Sequence, residues 1–152
     1  MALADFLSPN RIVLGVGGCK KRELISRLAE QFANDLGGDV AAYAEPLLAR
    51  EKLGSTAIGN GVALPHGKAE CLPGPVAAAA VLREPVNFPT PDGVDVDVVI
   101  ALLSPDGPPK DYLGRISSIV KELHNDEVIR AFRSARTPDE IMLTLANYKG
   151  WR

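Results

Sequence analysis

Cysteine and histidine are both scarce in this chain, which has two of each among 152 residues. Cys19 and Cys71 lie far apart in sequence and fit neither a CxxC motif nor a zinc-ligand spacing. With only His66 and His124 to add to them, we expect neither a structural metal site nor a bound cofactor. The two cysteines are most simply packing residues that stay reduced, as in a cytoplasmic protein.

Long apolar runs and blocks of one charge are also missing. No stretch approaches the roughly 20 apolar residues of a transmembrane helix, and the N-terminus lacks a signal-peptide pattern, so we expect no membrane insertion. The net charge of −2 and the isoelectric point of about 5.7 argue against a basic face that binds nucleic acid. The longest basic cluster, Lys20 to Arg22, is interpreted as a solvated helix start.

The composition is that of an ordinary globular protein, with 46% hydrophobic and 24% charged residues. A chain of 152 residues can bury a true core, and we predict a single domain over residues 1–152 with its core at about 5–148. Apolar strand-like runs alternate with amphipathic segments, which predicts an α/β domain with helices on both faces of a sheet. Gly15 to Gly18 lacks the ending of a phosphate-binding loop and is interpreted as a connection.

Hydrophobic periodicity and capping residues predict five helices, at 20–36, 39–50, 110–123, 127–134 and from 138 towards the C-terminus. Pro46 lies inside the second, where a proline costs about 3 kcal/mol, so that helix either kinks or restarts with Pro46 in its first turn. In the third, the apolar residues from Leu113 to Leu123 are expected to face the core. Trp151 is assigned to peripheral packing or a disordered end.

Strands are predicted at 12–14, 76–82 and 94–103, with a proline-containing loop at 85–93. Asp95 and Asp97 are two residues apart on the last strand and therefore face the same way. We interpret them as a solvated face at the entrance of the strand rather than as a carboxylate pair for acid–base chemistry.

The most informative stretch runs from residue 50 to residue 67. Asn60-Gly61 predicts a tight reversal, because both residues tolerate positive φ, and the apolar residues on either side predict two short strands. Pro65 should end the second strand and place His66 in a rigid turn. Gly67 has no Cβ, so we expect it to leave the imidazole open to a large partner.

Arg50 through Lys68 resembles, almost continuously, the phosphoacceptor signature of the mannitol/fructose class of enzyme IIA of the bacterial phosphotransferase system. Within that class the stretch is most similar to the nitrogen-regulatory branch. The resemblance implies a central mixed sheet of about four or five strands between helical layers. It also implies that His66 accepts a phosphoryl group from a phosphorylated histidine carrier protein and that Arg50 stabilises that group.

These assignments make chemical sense. A carrier needs a neutral imidazole near neutral pH, and the ordinary histidine pKa of about 6.5 supplies one. The planar arginine fork can bind two phosphoryl oxygens at once. Ser55, and with it Thr56, either donates a hydroxyl to the phosphoryl group or holds the turn. Gly59, Asn60 and Gly61 are expected to shape the loop.

The chain departs from the family pattern at two positions. Relatives usually have no proline at Pro46, which affects how Arg50 is aimed. They usually carry a second histidine near the start of the third predicted helix, where this chain has Tyr112. Tyrosine is neutral near pH 7, so we expect an altered transfer rate or phosphohistidine lifetime. His124 lies about 18 Å farther along that helix and is assigned to its C-terminus instead.

Three functions remain open at this point. The leading one is a regulatory phosphoacceptor that signals to target proteins, and the closest alternative is a sugar-specific enzyme IIA that passes phosphate to a IIB partner. A third is a binding module whose chemistry Tyr112 has compromised. A conventional metabolic enzyme is not expected, because the sequence has no further general acid–base group or cofactor motif. The oligomeric state is left open.

Overall fold

A computed structural model describes residues 2–148, and the prediction for Trp151 lies outside the described residues. Two short 3₁₀ helices, Leu3–Asp5 and Pro9–Arg11, precede the first strand. The strands are β1 (Ile12–Val16), β2 (Ala57–Gly59), β3 (Val62–Ala63), β4 (His66–Lys68), β5 (Val76–Val86) and β6 (Val96–Ser104). The α-helices are α1 (Lys21–Leu36), α2 (Val40–Leu53), α3 (Pro109–Leu123), α4 (Asp126–Ser134) and α5 (Pro138–Ala146). No helix among the described residues is both long and apolar enough to cross a bilayer.

The strands form one mixed sheet in the order β1-β5-β6-β3-β2. β5 and β6 are antiparallel, whereas β1 pairs with β5 and β3 pairs with β6 in parallel. β4 also pairs in parallel with β6, farther along the same side as β3. The described sheet therefore has six strands rather than the expected four or five, because β3 and β4 lie one after the other beside a single long strand.

Helices cover both faces of the sheet, which confirms the predicted fold class. Alternate residues of β5 and β6 point to opposite faces. Ala78, Ala80 and Ala101 pack with α1 and α2 on one side. Ala77 and Ala79 pack on the other side with α3, α4, α5 and the N-terminal turns. The strands read as continuous apolar runs because both of their faces are buried.

Asn60 and Gly61 form the predicted reversal, with φ of 56° and 77°. Its backbone is anchored twice: Asp92 accepts from the Asn60 N–H at 2.8 Å, and Arg133 donates to the Asn60 carbonyl at 2.5 Å. The same Arg133 holds the Asp97 carboxylate through Nε and Nη2 at 2.9–3.1 Å. Asp95 is exposed as predicted, whereas Asp97 is half-buried in an ion pair with Arg133 instead of being solvated.

The prediction that Pro65 leads into a turn is wrong. β3 does stop before Pro65, but the chain continues as β4, in which His66 pairs with Leu102. Pro65 lies between the two short strands, where its missing N–H interrupts no ladder. His66 is therefore held on a strand next to the centre of the sheet, which is a more rigid position than a turn.

The prediction that a loop begins at Pro85 is also wrong. β5 extends to Val86 and includes Pro85, although a loop was predicted from residue 85. The register with β6 shifts between Val81 and Val86, so Pro85 lies in an irregular part of the ladder. A proline is tolerated there because no paired N–H is required.

The structure decides the course of α2 at Pro46 and corrects the predicted burial of Leu113 in α3. α2 runs through Pro46 without restarting, so Arg50 lies in the last turn of a continuous helix. Leu113 of α3 does not face the core, and its side chain is 60% exposed. Leu36, at the end of α1, is 41% exposed. Leu113 lies one turn from the start of α3, and its side of that turn is open to solvent.

Gly67 is buried where β4 meets α2, so its missing Cβ makes room for the helix rather than for a partner of the imidazole. A Cβ built on Gly67 would lie 2.9 Å from the Pro46 Cβ and 3.0 Å from the Pro46 backbone C and O. The helix backbone can approach this strand so closely only because Gly67 has no side chain. This contact sets the distance between the helix that carries Arg50 and the strand that carries His66.

Gly67→Ala is therefore expected to destabilise the protein by about 1–3 kcal/mol, as overpacking against backbone does. The measurement is the urea midpoint of unfolding. Gly74→Ala is the matched control, because a Cβ there meets no atom within 4 Å. Equal midpoints for the two variants would contradict the close contact between α2 and β4.

Candidate functional site

Three of the predicted site residues, Arg50, His66 and Tyr112, meet in one open cleft of about 590 Å³. His66 comes from β4, Arg50 from the C-terminal turn of α2, and Tyr112 from the first turn of α3. The described residues that line the cleft are Pro46, Ala49, Arg50, Leu53, His66, Gly67, Lys68, Tyr112, Leu113 and Ile116. The cleft thus collects side chains from distant parts of the sequence at one edge of β4.

The His66 imidazole is fixed by a short contact to its own strand. Its Nδ1 lies 2.8 Å from the Leu64 carbonyl oxygen. A carbonyl can only accept, so Nδ1 carries the proton and donates it. In the neutral ring Nε2 then holds the free lone pair. The backbone therefore selects Nε2 as the nucleophilic atom of the site.

The environment of His66 also favours the neutral ring. Burial lowers its pKa below the ordinary 6.5, and the nearby Arg50 guanidinium lowers it further. The Leu64 hydrogen bond and the Glu51 carboxylate oppose this shift without reversing it. Near neutral pH the side chain is thus uncharged and has its lone pair available.

Arg50 is half-buried at the edge of the cleft. Its Nη1 donates to the Gly54 carbonyl at 3.0 Å, just beyond the end of α2. This bond orients the guanidinium and occupies one of its five N–H groups. The same bond stabilises the C-terminal end of α2, because Gly54 is the C-cap residue of that helix.

Tyr112 faces His66 across the cleft, with ring centroids 6.1 Å apart and planes tilted by 54°. Burial raises the pKa of its hydroxyl, although Arg50 and Arg115 act in the opposite direction. The hydroxyl is therefore protonated and neutral near pH 7. It can donate a hydrogen bond but brings no positive charge to the cleft.

Ser55 does not line the cleft. Its Oγ accepts from the Ala57 N–H at 3.2 Å, which is the contact expected if it holds the turn. Thr56 is buried, and its hydroxyl donates to Glu51 Oε1 at 2.5 Å while its N–H donates to Oε2 at 3.0 Å. Glu51 also pairs with Lys21 at 2.7 Å. These contacts fasten the segment after α2 to the helix itself.

Comparison with known proteins identifies the family. A family model described as phosphoenolpyruvate-dependent sugar phosphotransferase system, EIIA 2, matches residues 5–148. The chain belongs to this family. The resemblance predicted from Arg50 to Lys68 is thereby confirmed.

Among the relatives of this EIIA 2 chain are nitrogen regulatory proteins, and the similarity extends over nearly the whole length of both proteins. The one from Bradyrhizobium diazoefficiens is 35% identical over 146 residues, which covers 96% of this chain and 95% of the relative. The one from Pseudomonas aeruginosa is 34% identical over 140 residues and covers 91% of each. The crystal structure of the nitrogen regulatory protein IIA-Ntr from Neisseria meningitidis is similar with a TM-score of 0.84 and 29% identity, covering 93% of this chain and 97% of that one.

The EIIA 2 cleft also contains residues that sequence reasoning did not select. Lys68 brings a second cation next to His66, and Leu53 and Leu113 are 84% and 60% exposed at its rim. The position of Lys68 follows from strand alternation, since it is two residues after His66. Strand alternation does not apply to the turn that the sequence predicts at His66, so the sequence alone does not indicate this position for Lys68. The exposed leucines had no local signal, because periodicity shows which face is apolar and not whether anything covers it.

The remaining candidate ligands lie elsewhere in the EIIA 2 domain. His124 follows α3 as its C-cap residue, as predicted, and its Nε2 lies 3.2 Å from the Ile58 carbonyl. Cys71 is exposed and Cys19 is half-buried, and both are free thiols. Within residues 2–148, no three histidine, cysteine or acidic side chains come together in a way that could hold a metal ion.

The lowered pKa of His66 predicts how acceptor activity depends on pH. An unperturbed histidine is half protonated at pH 6.5, but His66 with its lower pKa is mostly neutral there. Activity at pH 6.5 is therefore expected to exceed half of its maximum and to fall as the pH drops through the lower pKa. The midpoint of the His66 Cε1–H resonance measures this directly, with His66→Gln to assign the signal. A midpoint at or above 6.5 would contradict the effect of burial.

Proposed function

We propose that this chain is a phosphoacceptor of a phosphotransferase system that acts mainly in regulation and works in the cytoplasm. His66 takes a phosphoryl group from a phosphorylated histidine carrier protein, Arg50 stabilises the group, and Tyr112 borders it. One phosphoacceptor domain spans residues 1–152. The observation that carries the proposal is the 2.8 Å contact between His66 Nδ1 and the Leu64 carbonyl, which leaves Nε2 as the nucleophile.

The transfer step follows from this arrangement. The Nε2 lone pair attacks the phosphorus atom of the phosphohistidine on the carrier, and a new P–N bond forms. The P–N bond to the carrier breaks, and its electron pair returns to the carrier imidazole. The Nδ1 proton stays in its hydrogen bond to the Leu64 carbonyl. This bond stabilises the imidazole ring as positive charge develops on the ring. The family's phosphotransferase chemistry supports this step.

A regulatory role is supported by the two nitrogen regulatory proteins at 34–35% identity. In that role the phosphorylated and unphosphorylated forms differ in which target protein they bind. The alternative is a sugar-specific enzyme IIA that passes the phosphoryl group to a IIB partner, and the family description, which names a sugar system, supports it. Incubation of the phosphorylated chain with a IIB domain separates the two, because only a sugar-specific chain loses its phosphate to that domain.

The proposal is tested by intact mass after incubation with phosphoenolpyruvate, enzyme I and a histidine carrier. We expect a gain of one phosphoryl group that is lost in acid and retained in base, as for a phosphohistidine. A reaction without the carrier is the control and should leave the mass unchanged. If no phosphate appears while a related enzyme IIA is phosphorylated in the same mixture, the chain is a binding module instead.

A further inference from the structure

Lys68 is placed to reach the same space as the His66 imidazole. The two residues are separated by one position on β4, and side chains two apart on a strand point to the same side. Both line the cleft, where Lys68 is exposed while His66 is half-buried. The ion pairs among residues 2–148 do not include Lys68, so its charge is not already neutralised by a carboxylate.

The Tyr112 ring lies against both of these side chains. The Lys68 Nζ is 5.4 Å from the centroid of the Tyr112 ring, and the His66 ring is 6.1 Å from it. An ammonium group within about 6 Å of an aromatic face is attracted by the negative face of the ring. The ring therefore holds the flexible lysine beside the imidazole and reduces the rotamer entropy lost when the lysine binds something there.

The charge of the cleft indicates what it binds. Among the described lining residues, Arg50 and Lys68 are cations and none is a carboxylate. A phosphoryl group carries about two negative charges near pH 7. Arg50 can offset one of them, but neutral Tyr112 cannot offset the other. Lys68 is the cation that remains in the cleft to do so.

We propose that Lys68 is a catalytic residue that binds the phosphoryl group on His66, and that the ring of Tyr112 is its positioning residue. This inference rests on the proposed function. Lys68 contacts a phosphoryl oxygen as a point charge, whereas Arg50 presents a planar fork. The role of Tyr112 belongs to its aromatic face, which explains why a neutral residue suits a position beside an anion.

Lys68→Gln is tested beside Lys52→Gln, which removes the same charge from an exposed lysine in a different cleft. We measure the equilibrium constant for phosphoryl exchange with the histidine carrier. A charged hydrogen bond predicts a roughly tenfold lower constant for Lys68→Gln, no change for Lys52→Gln, and a near wild-type value for Lys68→Arg. Thermal unfolding of each variant checks that the fold is retained.

A second readout follows the phosphoryl group itself. The ³¹P resonance of the phosphohistidine is titrated with pH in the wild type, in Lys68→Gln and in Lys52→Gln. A neighbouring ammonium favours the dianion, so its loss in Lys68→Gln is expected to raise the midpoint of the second ionisation. A purely structural role for Lys68 would leave this midpoint unchanged.

Tyr112 is tested with two substitutions. Tyr112→Phe keeps the ring and should retain most of the exchange constant, whereas Tyr112→Leu removes the ring and should lower it. Combining Tyr112→Leu with Lys68→Gln should add little, because both changes remove the same interaction. If Tyr112→Phe falls as far as Tyr112→Leu, the hydroxyl carries the effect and the positioning role is overturned.

Failure of this inference can be distinguished from failure of the proposed function. If the wild type takes phosphate and Lys68→Gln behaves like Lys52→Gln in both readouts, only the role of Lys68 is overturned. If the wild type takes no phosphate, the proposed function is overturned and this inference with it. A selective loss in Lys68→Gln supports both.

Discussion

His66→Gln is expected to abolish phosphorylation by the histidine carrier. Glutamine keeps a polar side chain but has no nitrogen lone pair that can attack phosphorus, because its amide nitrogen is delocalised into the carbonyl. Among the described residues that line the cleft there is no second imidazole: His124 contacts the Ile58 carbonyl beyond the end of α3. Intact mass after incubation with the complete phosphorylation mixture should show the unmodified protein only.

His124→Gln is the matched control, since it removes the other histidine of the chain. It should be phosphorylated like the wild type. The fold of His66→Gln should survive, because the lost bond to the Leu64 carbonyl is worth about 1 kcal/mol. Thermal unfolding verifies this. Acid-labile phosphate on His66→Gln would mean that another residue is the acceptor.

Arg50→Gln is expected to slow phosphoryl transfer by a factor of about 100–1000, the usual cost of removing one placed donor to a developing negative charge. The planar guanidinium is already oriented by its bond to the Gly54 carbonyl, so little reorganisation is needed when the phosphoryl group arrives. Arg50→Lys keeps the charge but loses the fork and should fall between the wild type and Arg50→Gln. Rapid-quench measurement of a single transfer gives the rate.

Lys52→Gln serves as the control here too, because Lys52 is two residues along α2 and is exposed. It changes the net charge by the same amount but does not line the His66 cleft. Equal rates for Arg50→Gln and Lys52→Gln would show that only the overall charge matters. Arg50 would then have no specific part in the transfer.

Much of the architecture could be predicted because its signals are local. The helix that begins at Pro138 is capped by Thr137, whose Oγ1 accepts from the Glu140 N–H at 3.4 Å, as the Thr-Pro-Asp-Glu pattern indicates. The reversal at Asn60-Gly61 adopts the positive φ values that those two residue types tolerate. Such features depend on atoms a few residues apart, so residue types alone are enough to predict them.

The errors arose where distant segments meet. Pro65 is expected from the sequence to end the extended structure. The residues that follow it nevertheless pair with β6, and the chain continues as β4. The missing Cβ of Gly67 is expected from the sequence to open the imidazole to a partner, but the space is taken by Pro46 of α2. Leu113 matches the apolar period of its helix and is nevertheless exposed, because it lines the open cleft instead of the core.

The sequence by itself determined the fold class, through the alternation of apolar runs with amphipathic segments. It also determined the family and pointed to Arg50 and His66, because the stretch from Arg50 to Lys68 carries them in one continuous pattern. Only the tertiary structure decided how they are arranged: which nitrogen of His66 is free, which ring faces it, and that Lys68 lies beside it. The physical reason is that residues 66–68 form a strand only because they pair with β6, and that the packing of α2 and α3 brings Arg50 and Tyr112 to this strand. Those contacts are made by residues far apart in the chain, and no local pattern encodes them.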